Sequence, residues 1–317
     1  MHISDGILSG PVSLGCSIFA AGGIGLCIHQ FRKSGSQAEA PRLGLVASFI
    51  FAAQMVNFPL GFAPISGHLM GGTLAASLLG PWGGGIAIAA VLIVQSLLMG
   101  DGALTALGAN WINMGLIGSV GASYVLDLMR SFFRNRSGLI LSAMITAWIS
   151  VTVSAAAFSF ELAISSGFQS FQSILTAMVV VHSIIAVGEA IITGLVLRGI
   201  LWILMGTNPQ EKIMPLAWSR SGLFIGGLMS TVAVVVFLAP LASSFPDGLE
   251  YVGEKFGFIS QESVEGYQAP LPDYVVPAMG DGRWSTVIAG LTGSLVVLGS
   301  GFLISRGLTR RTSVTHS

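Results

Sequence analysis

Charge is the scarcest property of this sequence. Of 317 residues, 14 are Lys or Arg and 14 are Asp or Glu, 9% charged in all against 53% hydrophobic. A soluble domain carries about 25% charged residues, so the composition excludes an ordinary water-facing globule and implies a multi-pass membrane protein. The formal net charge is zero, which removes the positive field that a nucleic-acid surface needs, and no nucleic-acid partner is expected. Cysteine is nearly absent. Cys16 and Cys27 stand eleven positions apart in one apolar run, about 16 Å along a helix. They cannot pair with each other and read as small buried apolar residues. There is no CxxC and no disulfide framework. No basic residue precedes Arg32, so the first apolar run lacks the n-region of a cleavable signal. The amino terminus is expected to be kept, with Met1 in place because His2 is bulky. GxxxxGK[ST] and HExxH are also missing, so neither nucleotide hydrolysis nor zincin chemistry has its usual carrier here.

What is present is a series of apolar runs long enough to cross a bilayer. They cover about 7–30, 43–60, 68–80, 82–99, 105–129, 139–165, 174–204, 223–241 and 286–305. The stretch 68–100 is too long for one span and is broken by "GPWGGG", so it is divided into two helices. Twelve of the fourteen basic residues follow alternate spans: Arg32, Lys33, Arg42, Arg130, Arg134, Arg136, Arg198, Lys212, Arg220, Arg306, Arg310 and Arg311. With the amino terminus outside and the carboxyl terminus in the cytoplasm, all twelve fall inside, as the positive-inside rule requires. Only Lys255 and Arg283 fall outside. One helix over 68–100 would invert everything downstream. The fold expected is an all-α bundle: a seven-span unit over 1–205, a polar cytoplasmic linker over 206–220, and a two-span unit over 221–317. The last encloses an outer loop at about 243–284, rich in Pro, Gly and Asp turn signals.

The outer side is acidic, with Asp5, Asp101, Asp247, Glu250, Glu254, Glu262, Glu265, Asp273 and Asp281. It is either a solvated loop surface or a weak funnel for cations, and the plainer alternative is the stronger one on sequence grounds.

The chain begins "MHISDG", which puts a histidine one peptide bond from a free amine. For a divalent transition metal, the Met1 amine, the His2 amide nitrogen and the His2 Nδ1 close successive five- and six-membered chelate rings. They leave one corner of a square open. Such tetragonal nitrogen coordination suits Ni(II) or Cu(II) and suits tetrahedral Zn(II) less. Of the other histidines, His29 and His316 belong to the cytoplasmic side and His182 lies within a span. His68, after "FPLGFAPISG", shares the depth of His2. On the residues alone two alternatives stand: His2 and His68 complete a metal site with Met1, or they are an incidental surface residue and a helix-start residue.

Five segments carry a resemblance. "MHISDGILS", "FAAQMVNFPL", "SGHLMGGTLAASLLGPW", "QSLLMGDGALTALGANWINMG" and "HSIIAVGEAIITGLV" resemble the CbiM/NikM family, the substrate-binding S components of energy-coupling-factor transporters for cobalt and nickel. The resemblance covers about residues 1–200. It implies a seven-span fold whose amino terminus tucks into the substrate site. It also implies a metal held by the Met1 amine, the His2 amide and imidazole nitrogens, and the Ser-Gly-His histidine, here His68. "FPDGLEYVGEKFGF" with "APLPDYVVP" is similar to the PDGLE-type component, CbiN/NikN, which assists metal loading. The implied protein is a transport subunit and not an enzyme. Ni²⁺ or Co²⁺ is its transported substrate, with no bound organic cofactor. Its partners are a transmembrane coupling (T) protein, two ATPase subunits and the lipid bilayer of a prokaryotic cell membrane. Rival assignments are an S component for an organic vitamin and, less well supported, an intramembrane metalloenzyme.

Other polar residues have two readings each. Gln54, Asn57 and Gln95 either glue helices together or support the metal ligands. Asn57 and Ser66 are candidates to hold the ligands from the outer mouth. Asp5 is a candidate to orient the His2 ring or to cap the first helix. Asp101 is a candidate to cap the next helix or to help close the site, with capping the favoured alternative. His182 and Glu189 share a face of one span and carry no assigned role.

A short extension ahead of Met1 separates the metal and vitamin assignments. Metal binding, followed by titration with Ni²⁺ in detergent, is expected to vanish in the extended protein, whereas a vitamin site would be undisturbed.

Overall fold

Each long apolar run closes its own backbone hydrogen bonds as a helix, as a chain in lipid must. The computed structural model describes residues 2–34, 40–205, 221–259 and 267–309. Met1, the linker at 206–220 and the basic residues Arg310 and Arg311 lie outside those residues. The chain begins with α1 (Gly10–Ser34) and α2 (Ala40–Gln54), followed by β1 (Phe58–Pro59) and β2 (Ser66–Gly67), which pair antiparallel. Next comes α3 (Gly72–Val94), prolonged by a π-helical turn over Gln95–Met99. The short α4 (Leu107–Trp111) runs through a π-helical stretch, Ile112–Gly121, into α5 (Ala122–Phe132). The long helices α6 (Arg136–Ser166) and α7 (Phe171–Met205) follow. The last part contains α8 (Ser221–Ala233), α9 (Gly248–Phe256) and α10 (Arg283–Thr309). Among the described residues seven helices are long and apolar enough to cross a membrane. The protein is thus an all-α, multi-pass membrane protein. Large apolar side chains such as Leu14, Ile18 and Phe19 on α1 are exposed, which is ordinary for a face turned to lipid.

Gly80 sets the path of the central run. It is the one non-helical residue within α3, at φ 72° and ψ 177°, a backbone that glycine adopts and other residues resist. Pro81 follows at a helix start, where its missing N–H is no loss. A Cβ on Gly84 would lie 2.9 Å from the backbone nitrogen of Ala76. Residues eight apart in a straight helix are separated by about 12 Å, so the chain doubles back at Gly80. The division of 68–100 at "GPWGGG" is therefore present, although by length alone Gly72–Met99 passes for one span.

Two boundaries differ from the sequence expectation. The run 43–60 is helical only to Gln54. Its end turns into β1, with the Asn57 carbonyl accepting from Ser243 N at 2.8 Å. The helix expected from His68 begins at Gly72, because residues 68–71 are not helical and Gly71 turns through a left-handed backbone at φ 77°. Non-helical backbone at this depth needs partners from elsewhere, and two buried side chains supply them. The Glu189 carboxylate of α7 accepts from Met70 N at 2.5 Å and Gly71 N at 2.9 Å. The Gln54 amide donates to the Met70 carbonyl at 2.9 Å. Glu189 thus sits at the amino terminus of α3, where a carboxylate also meets the helix dipole.

The C-terminal helices pack on α2 through small residues. A Cβ on Gly44 would lie 2.5 Å from the Leu298 carbonyl oxygen, and Gly301 faces Gly44 in turn. Close backbone approach of this kind is how membrane helices gain van der Waals contact. Ser48 adds a hydrogen bond to the Ser294 carbonyl at 2.9 Å. Basic residues Arg32, Lys33, Arg130 and Arg306 end their helices on one side of the bundle. The first residues of the chain, the β1–β2 pair and α9 gather on the other.

Replacing Gly44 by Leu is expected to lower the thermal unfolding midpoint in detergent, at a cost of about 1–3 kcal/mol from overpacking. Gly226→Leu on α8, where a Cβ meets nothing within 4 Å, is expected to leave the midpoint unchanged.

Candidate metal centre

The amino-terminal segment is anchored by the residue after His2. Ile3 is 0% exposed and packs among Ile7, Leu8, Phe158 and Leu249. Burying such a side chain contributes about 1.5–3 kcal/mol. Its backbone is held on both sides: Ile3 N donates to Asn110 Oδ1 at 2.8 Å, and Ala103 N donates to the Ile3 carbonyl at 2.9 Å. Asn110 Nδ2 also reaches that carbonyl, at 3.3 Å. These contacts fix His2 at the edge of the bundle, 8% exposed.

A carboxylate and a phenol hold the His2 ring. Asp101 Oδ1 lies 3.1 Å from His2 Nδ1, and its Oδ2 accepts from the Tyr274 hydroxyl at 2.6 Å. Gln95 Nε2 donates to the Tyr274 oxygen at 3.1 Å. Burial alone would raise the Asp101 pKa, but the His2 ring and the Tyr274 hydrogen bond hold it well below the usual carboxylate range. Of the two sequence alternatives for Asp101, capping is not seen, since α4 has no side-chain cap at its start, and its carboxylate lies at the His2 ring. Asp5 makes a short hydrogen bond with the Thr105 hydroxyl, and the carboxylate bonded to the His2 ring is that of Asp101. His2 Nε2 is buried and has no hydrogen-bond partner among the described residues.

His68 directly follows β2 and opens the non-helical stretch before α3, 9% exposed. Its Nδ1 lies 3.0 Å from the Leu69 carbonyl. A carbonyl only accepts, so Nδ1 carries a proton and Nε2 is the nitrogen turned outward. Burial pushes the His68 pKa down, against the pull of the Asp247 carboxylate. The two imidazoles lie 9° from parallel with centroids 5.1 Å apart. A metal bound to a ring nitrogen sits about 3 Å from the ring centre, so two rings on one ion have centroids about 4.5 Å apart at a right angle and about 6 Å apart in line. The observed separation falls between. The side chains alone do not make a closed cage: no group of three or more His, Cys, Asp or Glu able to hold a metal occurs among the described residues.

The third wall comes from the other end of the sequence. Ser66 Oγ donates to the Phe245 carbonyl at 2.7 Å, and Ser66 N donates to the Pro246 carbonyl at 2.8 Å. With Asn57 bonded to Ser243, these stitch the 243–248 loop onto the β1–β2 pair. Asp247 then starts α9 with a capping box: its Oδ1 accepts from Leu249 N and Glu250 N, and Glu250 Oε2 accepts from Asp247 N. The other oxygen, Oδ2, lies 3.5 Å from His68 Nε2. Burial raises the Asp247 pKa, yet facing positive charge and the His68 ring hold it well below its ordinary value. Gly248 is required here, since a Cβ would lie 3.0 Å from His182 Cε1 and 2.6 Å from Ile185. His182 itself is tied to the Met178 carbonyl at 2.9 Å and stands behind His68.

Of the sequence candidates, the structure brings together His2 and His68, places Ser66 and Asn57 under the 243–248 loop, and leaves Asp5 with Thr105. Met1 lies outside the described residues. Sequence reasoning missed Tyr274, Asp247 and Asn110 at the site. Only Asp247 had a local signal, the Asp-x-x-Glu spacing of a capping box.

Comparison with known proteins agrees with the fold. Residues 2–203 match the family model CbiM, described as the cobalt uptake substrate-specific transmembrane region, and residues 221–310 match the PDGLE domain. A chain of Archaeoglobus fulgidus, to which the name fused nickel transport protein NikMN is provisionally attached, is 32% identical over 307 residues, 96% of this chain and 98% of that one. The cobalt transport protein CbiM of Sorangium cellulosum is 26% identical over 218 residues, 66% of this chain and 93% of its own length. A solved structure described as a truncated transition metal transporter superposes with a TM-score of 0.57 at 28% identity, covering 64% of this chain and 99% of that chain.

The non-helical stretch beside His68 depends on Glu189. Glu189→Ala leaves two buried N–H groups unpaired, at about 1–3 kcal/mol each. It is expected to lower both the thermal midpoint and the affinity for Ni²⁺ in calorimetric titration, with Glu189→Gln, which keeps one acceptor oxygen, falling between.

Proposed function

This chain belongs to the family of cobalt uptake substrate-specific transmembrane regions, with a PDGLE domain following in the same chain, and from that premise we propose that it is the substrate-binding membrane subunit of an energy-coupling-factor transporter importing Ni²⁺ or Co²⁺. The observation that carries the reading is the approach of His2 and His68, 5.1 Å between ring centroids, beside a pinned amino terminus. The ion is held by four nitrogens: the Met1 amine, the His2 amide, the His2 Nδ1 and the His68 Nε2. The amine has an unperturbed pKa of about 7.7–8.0, so it gives up its proton readily near neutrality. A strong planar field compensates for loss of the amide proton, which favours Ni(II) among the family's metals. His68 supports this arrangement because its Nδ1 is already committed to the Leu69 carbonyl, as is usual for a ligating imidazole. His2 Nδ1 faces Asp101 at 3.1 Å. Taking the ion requires that nitrogen to leave the carboxylate, and a half-turn of the ring would then present the buried Nε2 to Asp101.

The unit over 1–205 holds the site, and the unit over 221–317 covers it. Positive residues gather at the opposite end of the bundle, which makes that end cytoplasmic and the site outward-facing. The chain has no phosphate-binding loop, so ATP hydrolysis falls to two partner ATPases acting through a transmembrane coupling protein. The named relatives, which include nickel and cobalt transport proteins, support a metal over an organic vitamin, and with four nitrogens in the square there is no open position for enzymatic chemistry.

His68→Ala is expected to weaken Ni²⁺ binding by at least about a hundredfold, roughly 2.7 kcal/mol. The loaded wild-type protein is expected to show a yellow-to-orange diamagnetic Ni(II) spectrum. A paramagnetic six-coordinate spectrum, or unchanged affinity in the variant, would refute the four-nitrogen site.

A further inference from the structure

Glu161 lies on α6 within the span Arg136–Ser166, half-buried. An ionisable side chain at such a place is costly and usually has a task. Its hydrogen-bond partner is Asn113, whose Nδ2 donates to Glu161 Oε2 at 2.9 Å. Ser154, seven residues earlier on the same face of α6, donates its Oγ to the Asn113 carbonyl at 2.7 Å. Helix α6 thus grips Asn113 twice, near the start of the π-helical stretch Ile112–Gly121. Such stretches are frequent at functional positions. One turn away stands Asn110, which clasps the backbone of Ile3. We propose that Glu161 carries a proton at neutral pH and closes an acid–amide pair with Asn113, a proton-holding site that positions Asn110, Ile3 and through them His2.

Two observations carry this. Asn113 is 1% exposed, and its Oδ1 is closed to solvent with no donor among the described residues. A carboxylate only accepts, whereas a carboxylic acid has an O–H to give. With Asn113 Nδ2 already on Glu161 Oε2, an O–H on Oε1 turned to Asn113 Oδ1 closes the ring and satisfies both side chains. The second observation is the lack of a neutralising cation. From α1 the Cys16 thiol lies within electrostatic reach of Glu161. On α7, His182 is turned to the Met178 carbonyl and Glu189 to Met70 and Gly71. On α9, Glu250 is turned to Asp247 N. Among the described residues no Lys, Arg or His acts on Glu161. Unpaired charge in a span is expensive, and a proton removes it. Loss of the proton to water at alkaline pH would leave Asn113 Oδ1 without a donor and put a bare charge beside the helix that holds the amino terminus.

The link to His2 rests on the four-nitrogen reading, whereas the proton site does not, and the test separates the two. Infrared spectra of the metal-free full chain in nanodiscs near neutral pH are expected to contain a protonated-carboxyl C=O band that is missing in Glu161→Gln, shifted in Asn113→Leu, and lost as the pH is raised. The folded protein then binds a proton that the unfolded chain has released, so stability falls with rising pH. The thermal midpoint of the wild type is expected to drop with alkaline pH relative to that of Glu161→Gln, which has no proton to lose. In titration with NiCl₂, Glu161→Ala is expected to bind about tenfold more weakly, the effect of one orphaned buried group. Glu161→Gln, which offers an N–H where the acid has its O–H, is expected to restore most of that loss. Equal carboxyl bands in wild type and Glu161→Gln, parallel pH profiles of the two midpoints, or a Gln variant no better than Ala would overturn the proton site. If Glu161→Ala does not fold, the infrared and midpoint comparisons of wild type with Glu161→Gln decide. Failure of the four-nitrogen reading would show instead in the affinity and Ni(II) spectrum of His68→Ala, with the infrared difference intact.

Discussion

A chain that leaves helical geometry inside a membrane must find partners for every N–H and C=O it frees. Here that demand falls on residues 68–71, and the Glu189 carboxylate with the Gln54 amide meets it. Much else follows from this. The non-helical stretch lets His68 stand at the mouth of the bundle while α3 starts deeper. The reversal at Gly80 returns the chain to the same end, where Asp101 meets His2. Without those two buried polar side chains the descent would have to be helical from its start, and His68 would be turned by helical geometry instead of held by the β1–β2 pair.

The candidate site is divided among parts of the chain that are far apart in sequence. His2 is set by a neighbour's burial: Ile3 fills an apolar niche and Asn110 clasps both of its backbone groups. His68 is set by the strand pair and by Leu69. The C-terminal unit contributes Tyr274 and Asp247, one to each side of the imidazole pair. That unit is bound firmly, through the glycine contact of α2 with α10 and through Ser66 and Asn57. Its loop is therefore part of the wall. The arrangement sets one carboxylate against each imidazole, Asp101 at His2 Nδ1 and Asp247 at His68 Nε2.

Several features were legible in the sequence. Low charge and apolar runs gave a multi-pass helical protein, and Gly80 with Pro81 marked the reversal that keeps basic residues on one side. Opening "MHISDG" and the later "SGH" drew attention to His2 and His68 together. Other features were not legible. Asp5, near His2 in sequence, bonds to Thr105, and the carboxylate at the ring is Asp101. Glu189 seemed one polar residue in an apolar span, and its partners are backbone groups more than a hundred residues away. The helix expected from His68 starts four residues later, since nothing local announces that a carboxylate on α7 will satisfy a non-helical backbone.

By itself the sequence determined the class of protein, the apolar runs that become its helices, the turn at Gly80 and the donor atoms available near its start. Those are matters of composition, period and backbone preference, which each segment carries within itself. The tertiary structure alone decided which carboxylate meets which imidazole, where the non-helical stretch finds its partners, and that Asp247 closes the site from the far end of the chain. Such pairings depend on how helices rotate and slide against one another, and that is set by close packing of small residues across the bundle, a property of two segments together and of neither alone.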